Sequence, residues 1–184
     1  MNRRKWTACC LVPMLAAGAI LLIVAGASLY NSHPSLRKPA AQTTANREEF
    51  VRFGRAFFAI TTRADKASEQ AFKTLQTMVN GNGSIEEVHS AFRTASTANS
   101  RASDEFKALD IPPSLQSQSK LRQSTDTMSK SYYARKVACD ILVDWNGDLN
   151  DQETADKYRR QVQDINRLTQ EGLGQLADAA RDNG

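Results

Sequence analysis

Glu86 and His89 stand at the i, i+3 spacing with which helical bundles offer a carboxylate and an imidazole to a di-iron centre. Such a centre needs two of these pairs and two further Glu. The chain has 2 histidines, and His33 lies far upstream among Pro and Ser, so half the motif is present at best and the pair reads as a solvated helix face. A b-type haem between His89 and Met78 is another use of the same imidazole, since both fall at one end of a helical bundle. The segment DWNGDLNDQE, residues 144–153, resembles a calcium loop: with Gly147 in the sixth position, Asp144, Asn146 and Glu153 take the third, fifth and twelfth. Its first ligand would then be Leu142, which has no side-chain oxygen, so a helix stop followed by an N-cap is the plainer reading.

Nucleophilic chemistry has little to work with. Cys139 flanks an apolar seam and has no evident partner, which suits a half-buried structural thiol. There is no G-x-S-x-G among the many serines. Tyr132-Tyr133-Ala134-Arg135-Lys136 sets aromatics beside two cations, and long basic side chains snorkelling around core tyrosines account for it. The sequence therefore predicts no enzyme, no cofactor and no metal. A lone sequon, Asn82-Gly83-Ser84, adds no weight.

The elements that would position these residues are long and helical. Asn46 with Glu49 marks a helix start, and Phe50, Phe53, Phe57, Ile60, Ala64, Ala67, Ala71, Thr74 and Met78 follow at alternating three- and four-residue steps. Asn80-Gly81-Asn82-Gly83 stops that helix. Ser84 and Glu87 form a capping box for the second, with a seam of Ile85, Val88, Phe92, Ala95, Asn99, Ala102, Phe106 and Leu109. Pro112-Pro113 breaks it. The third segment, from about Ser114 to Trp145, is Ser-rich and weakly patterned: Leu115, Leu121, Met128, Tyr132, Ala138, Ile141, Trp145. The fourth starts near Asn150, with Glu153 as its box partner, and carries Ala155, Tyr158, Val162, Ile165, Leu168, Gly172, Leu176 and Ala179. The predicted fold is all-α, an N-terminal transmembrane helix followed by an antiparallel up-down four-helix bundle over residues 46–184.

The N-terminus sets the compartment. Arg3, Arg4 and Lys5 precede a 22-residue apolar run from Ala8 to Leu29, long enough to cross about 30 Å of hydrocarbon. Residues 1–30 read as a signal-anchor and 31–45, with Pro34 and Pro39, as a linker. The basic start favours a single-pass inner-membrane protein with its body outside, contacting the bilayer through residues 8–29. Ala25-Gly26-Ala27 offers an alternative, cleavage after Ala27 and release to the periplasm. Five of the 24 basic and none of the 20 acidic side chains lie in residues 1–44, leaving the remainder at 19 against 20. A near-neutral body has no footprint for nucleic acid.

At mid-height of such a bundle the seams turn small or polar: Ala64, Ala67, Ala71, Ala95, Asn99, Ser124, Ser131 and Thr169. Two readings stay open. Either the helices close over alanines with Asn99 setting register, or Ala67, Ala95, Asn99, Ser124, Ser131 and Thr169 line a polar cavity for a small ligand.

The basic-apolar start, the capped heptad helices and the FKALDIPPSL junction resemble the membrane-anchored extracytoplasmic four-helix bundles of bacteria, among them sensor domains of chemoreceptors and histidine kinases. The resemblance is one of architecture and carries no site residue. Such sensors continue through a second span into a signalling domain, whereas this sequence ends after its fourth helix. The expectation is a non-enzymatic, membrane-tethered interaction or accessory module acting on another envelope or membrane protein. The alternative is a small-ligand-binding sensor domain that signals through a partner.

Overall fold

The computed structural model describes residues 40–115 and 118–183. The apolar run 8–29, the cleavage point after Ala27 and most of the linker lie outside them. No helix among the described residues is long and apolar enough to cross a membrane. Four helices make up the fold, and no strand occurs among the described residues: α1 Ala40–Val79, α2 Ile85–Ala108, α3 Gln118–Val143 and α4 Gln152–Asn183.

Local chemistry fixes the helix ends. α1 closes in a Schellman motif: Gly81, at φ 87°, donates to Met78 O at 2.8 Å, and Asn82 N–H to Thr77 O at 3.0 Å. Ser84 and Glu87 form the predicted capping box, at 3.0 and 3.2 Å. α4 is capped by Asp151, whose carboxylate accepts from Thr154 N–H at 3.0 Å; the cap thus falls one residue after the predicted Asn150, and Thr154, not Glu153, is its partner. α1 begins at Ala40, six residues before Asn46. Residues 40–45, read as linker, contain no helix breaker, and Pro39 just ahead of them suits a helix start.

The helices run antiparallel in sequence order. Arg63 meets Glu105 and Ser68 meets Asn99, Asn99 meets Cys139 and Ser103 meets Ser129, Ser124 meets Gly172 and Ser131 meets Thr169, so in each pair positions climb on one helix as they fall on the next. α2 and α4 both lie close to α3 along their lengths, α1 lies against α2, and α1 approaches α4 at few points. The bundle therefore has three closed edges and one open edge. α1 and α3 occupy opposite corners.

The bulky apolar residues form two clusters. A proximal one holds Phe53, Phe57, Ile60, Phe106, Leu121 and Tyr132, with Phe57 edge-on to Phe106 at 4.9 Å. A distal one holds Leu75, Val88, Phe92, Leu142 and Trp145, with Phe72 edge-on to Phe92 at 5.3 Å. The seam of α2 is as expected. The seam of α1 is not: it runs Phe53, Phe57, Ile60, Ala64, Ser68, Ala71, Leu75, and Ala67 is only half-buried. Ser68 is drawn inward because the buried Asn99 amide donates to its hydroxyl at 3.1 Å. On α3, likewise, Leu142 rather than Ile141 is buried.

Candidate functional site

The waist between the two clusters is where polar side chains enter the bundle. Of the six predicted residues, Ala95, Asn99, Ser124 and Ser131 are fully buried, while Thr169 and Ala67 are half-buried. They do not gather around one cavity. Asn99 joins α2 to α1 and α3, while Ser124, Ser131 and Thr169 join α3 to α4. Asn99 of α2 donates through Nδ2 to Ser68 on α1, to Ala95 O on its own helix at 2.9 Å, and to Cys139 Sγ on α3 at 3.6 Å. Ser124 donates to Gly172 O at 2.7 Å, and Ser131 bonds Thr169 at 2.7 Å, both joining α3 to α4. Ser103 and Ser129 add a bond at 3.0 Å between α2 and α3.

Small side chains are what allow this approach. A Cβ placed on Gly172 would fall 2.8 Å from Met128 Sδ and 2.9 Å from its Cγ, so α3 and α4 touch where Gly172 has no side chain. Two solvent-open depressions lie beside α2. One is floored by Ala64, Ala98 and Ala102, the other borders Ser100 and Asp104, and Arg101 and Glu105 line both. None of the six waist residues lines either.

The sequence missed a second polar cluster at this height. Arg135 of α3 does not snorkel. Its side chain is 11% exposed and ion-paired with Asp65 of α1, on the opposite corner. Its Nη2 donates to Thr169 Oγ1 on α4 at 3.4 Å, and its guanidinium carbon sits 4.5 Å from the centre of the Tyr132 ring. Tyr132 Oη donates to the same Asp65 oxygen at 3.1 Å. Burial is the main reason that the Tyr132 phenol is held far above its ordinary pKa, and the Arg135 charge offsets it only in part. Two polar atoms here and nearby are buried without a partner: Arg135 Nε and Asn99 Oδ1. The i, i+4 and i, i+3 bookkeeping used for helix surfaces does not reach a pair 70 residues apart, and Asp65 lies beside the predicted seam position Ala64 without belonging to it.

The remaining candidates are occupied structurally. His89 Nε2 donates to Trp145 O at 2.7 Å, pinning the α3–α4 turn to α2. Within that turn Gly147 is at φ 86°, Asn146 Oδ1 accepts from Asp148 N–H and Asp148 Oδ1 from Asn150 N–H, each at 2.9 Å. The oxygens of the calcium-like segment thus serve an ordinary turn. Among the described residues no three His, Cys, Asp or Glu are grouped as metal ligands. Cys139 is buried, its burial pushing the thiol up to about 12, and its hydrogen-bond partner is an amide N–H that cannot take a proton.

α4 carries Val162, Ile165 and Leu168, all half-buried. None of the three belongs to either apolar cluster or packs among the partly buried residues around them. Tyr158 marks the distal limit of this stretch, its ring 6.4 Å from Phe72 of α1. No protein-family model matches the chain, and no curated protein or solved structure matches it either.

Proposed function

We propose that this protein is a membrane-tethered, extracytoplasmic helical module that acts by binding another envelope protein and performs no chemistry of its own. The observation that carries this reading is the open α1–α4 edge. There α1 and α4 approach at few points, and on α4 Val162, Ile165 and Leu168 stay partly exposed outside both apolar clusters. The waist supports it from the other side, since its hydroxyls are spent on neighbouring helices and the six waist residues line neither of the two depressions beside α2. The basic start and the 22-residue apolar run supply the tether.

The test is a pull-down from membranes with the intact chain and with Val162→Ser, Ile165→Ser and Leu168→Ser combined. The wild type should retain a membrane protein that the triple variant loses. Equal capture by both would end this reading. Tethering is checked separately: the native protein should resist alkaline carbonate extraction, and a mature N-terminus at Ser28 would overturn it in favour of export after cleavage.

A second reading, a small-ligand sensor that signals through a partner, is favoured by one observation. Asn99 Oδ1 and Arg135 Nε are buried and unpartnered, and a small polar ligand could satisfy them. A bound small molecule in native mass spectrometry would move this reading ahead of the first.

A further inference from the structure

We propose that the Asp65–Arg135 ion pair is a clasp that holds the open edge shut, so that its release separates α1 from α4 while α2 and α3 stay packed. The proposal concerns the edge itself and stands independently of any partner.

Three observations converge on it. First, α1 and α4 approach at few points, so backbone packing does little to hold that edge. Second, the side chain that spans it comes from neither helix. Arg135 reaches from α3 at the opposite corner, pairing with Asp65 of α1 and donating to Thr169 of α4. Third, the guanidinium is deeply covered, yet its Nε has no partner. Its charge is tolerated there because Asp65 faces it and the Tyr132 ring lies beneath it. A buried charge that loses its counter-ion becomes costly and seeks water. The shortest way to water lies outward between α1 and α4, where least packing opposes it.

Other groups near the waist are anchored differently. Ser131 and Ser124 tie α3 to α4, and Asn99 ties α2 to Ser68 on α1, so losing the clasp leaves those edges intact.

Hydrogen exchange read by mass spectrometry on the full chain in detergent micelles tests the clasp. In Asp65→Asn the amides of residues 58–72 and 158–170 should exchange about tenfold faster, the scale expected when one charged hydrogen-bonded pair is lost from a local opening. Residues 88–106 and 124–142 should keep their protection. Arg135→Lys, which retains the charge but cannot span Asp65 and Thr169 with one fork, should give a smaller acceleration at the same two segments, and serves if Asp65→Asn does not fold. The double variant Asp65→Leu with Arg135→Met should seal the edge, with exchange there no faster than in wild type. Uniform acceleration through all four helices, no change at the edge, or a double variant that exchanges as fast as Asp65→Asn would each overturn the proposal.

Discussion

α3 and α4 lie side by side, and their sequences read in the opposite order to their burial. α4 has a clean apolar stripe from Tyr158 to Ala179, yet only Gly172, Leu176 and Ala179 are buried among its described side chains. α3 has the weakest stripe and buries twelve residues, five of them Ser or Thr. Apolar patterning describes what a helix can offer, while burial depends on how closely its neighbours come. Small residues let α2 and α4 close on α3, and a hydroxyl is admitted wherever it finds an acceptor. α4 faces α3 on one side and an open edge on the other, so the central part of its stripe is covered on one flank only.

This contrast is most directly broken at Ser124. Ser124→Leu puts a larger side chain where α3 meets Gly172 and removes the bond to its carbonyl. Overpacking together with the lost bond should cost about 2–4 kcal/mol. Melting of the full chain in detergent should fall by roughly 5–15 °C. A variant that melts at the wild-type temperature would mean that α3 is not close-packed.

Ala95→Leu against Ala67→Leu sharpens the same point at smaller scale. Ala95 is fully buried and Ala67 only half-buried. The first should lose about 1–3 kcal/mol by overpacking, and the second less than about 0.5 kcal/mol, as expected where a side chain can turn to solvent. Equal losses would put Ala67 back on the seam. On α4, Val162→Ser, Ile165→Ser and Leu168→Ser should each cost under about 1 kcal/mol, well below the value of a fully buried aliphatic side chain. A larger loss, read from the same melts, would show the edge to be closed in solution.

A pH-dependent effect comes from Cys139 on the closed side of α3. Its thiol, raised from 9.0 to about 12, stays neutral in the fold at pH values where an unfolded chain ionises. A raised pKa contributes stability that is complete below pH 9.0 and is lost as pH climbs toward about 12. Cys139→Ser should therefore lose less stability than wild type over that interval, measured as the difference between their melting curves. Iodoacetamide at pH 8 should leave the native thiol unmodified and react once the chain is unfolded.

The four helices, the Schellman stop at Gly81 and the Ser84 capping box were legible because each rests on residues within a turn of one another. So was the division into two bulky clusters with a small, polar waist. The register of α1 was not legible. Ala67 and Ser68 suit a seam equally by size, and what selects Ser68 is the Asn99 amide on another helix. The clasp was hidden for the same reason. Arg135 stands in a run that reads as snorkelling, and only the fold brings it to Asp65. The weak pattern of α3 concealed the most buried helix, since hydroxyl satisfaction depends on neighbours that periodicity does not reveal.

The displaced seam of α1 has a consequence for winding. Phe57 to Ser68 spans eleven residues through one repeated four-residue step at Ala64, while Phe53 to Ile60 and Ser68 to Leu75 on α1, like Val88 to Ala95 and Ala95 to Ala102 on α2, span seven. Seven-residue spacing keeps a stripe in line only if the helix coils left-handed, while eleven-residue spacing, at about 3.67 residues per turn, leans slightly the other way. The left-handed coil pattern of the α1 seam is therefore relaxed over one turn around Ala64 and resumes on either side. α1 stays in step with α2 on both sides of that turn through the Phe57–Phe106 and Phe72–Phe92 ring contacts. Asp65, the partner of Arg135, lies within that turn, so the phase of a single repeat sets where the ion pair stands.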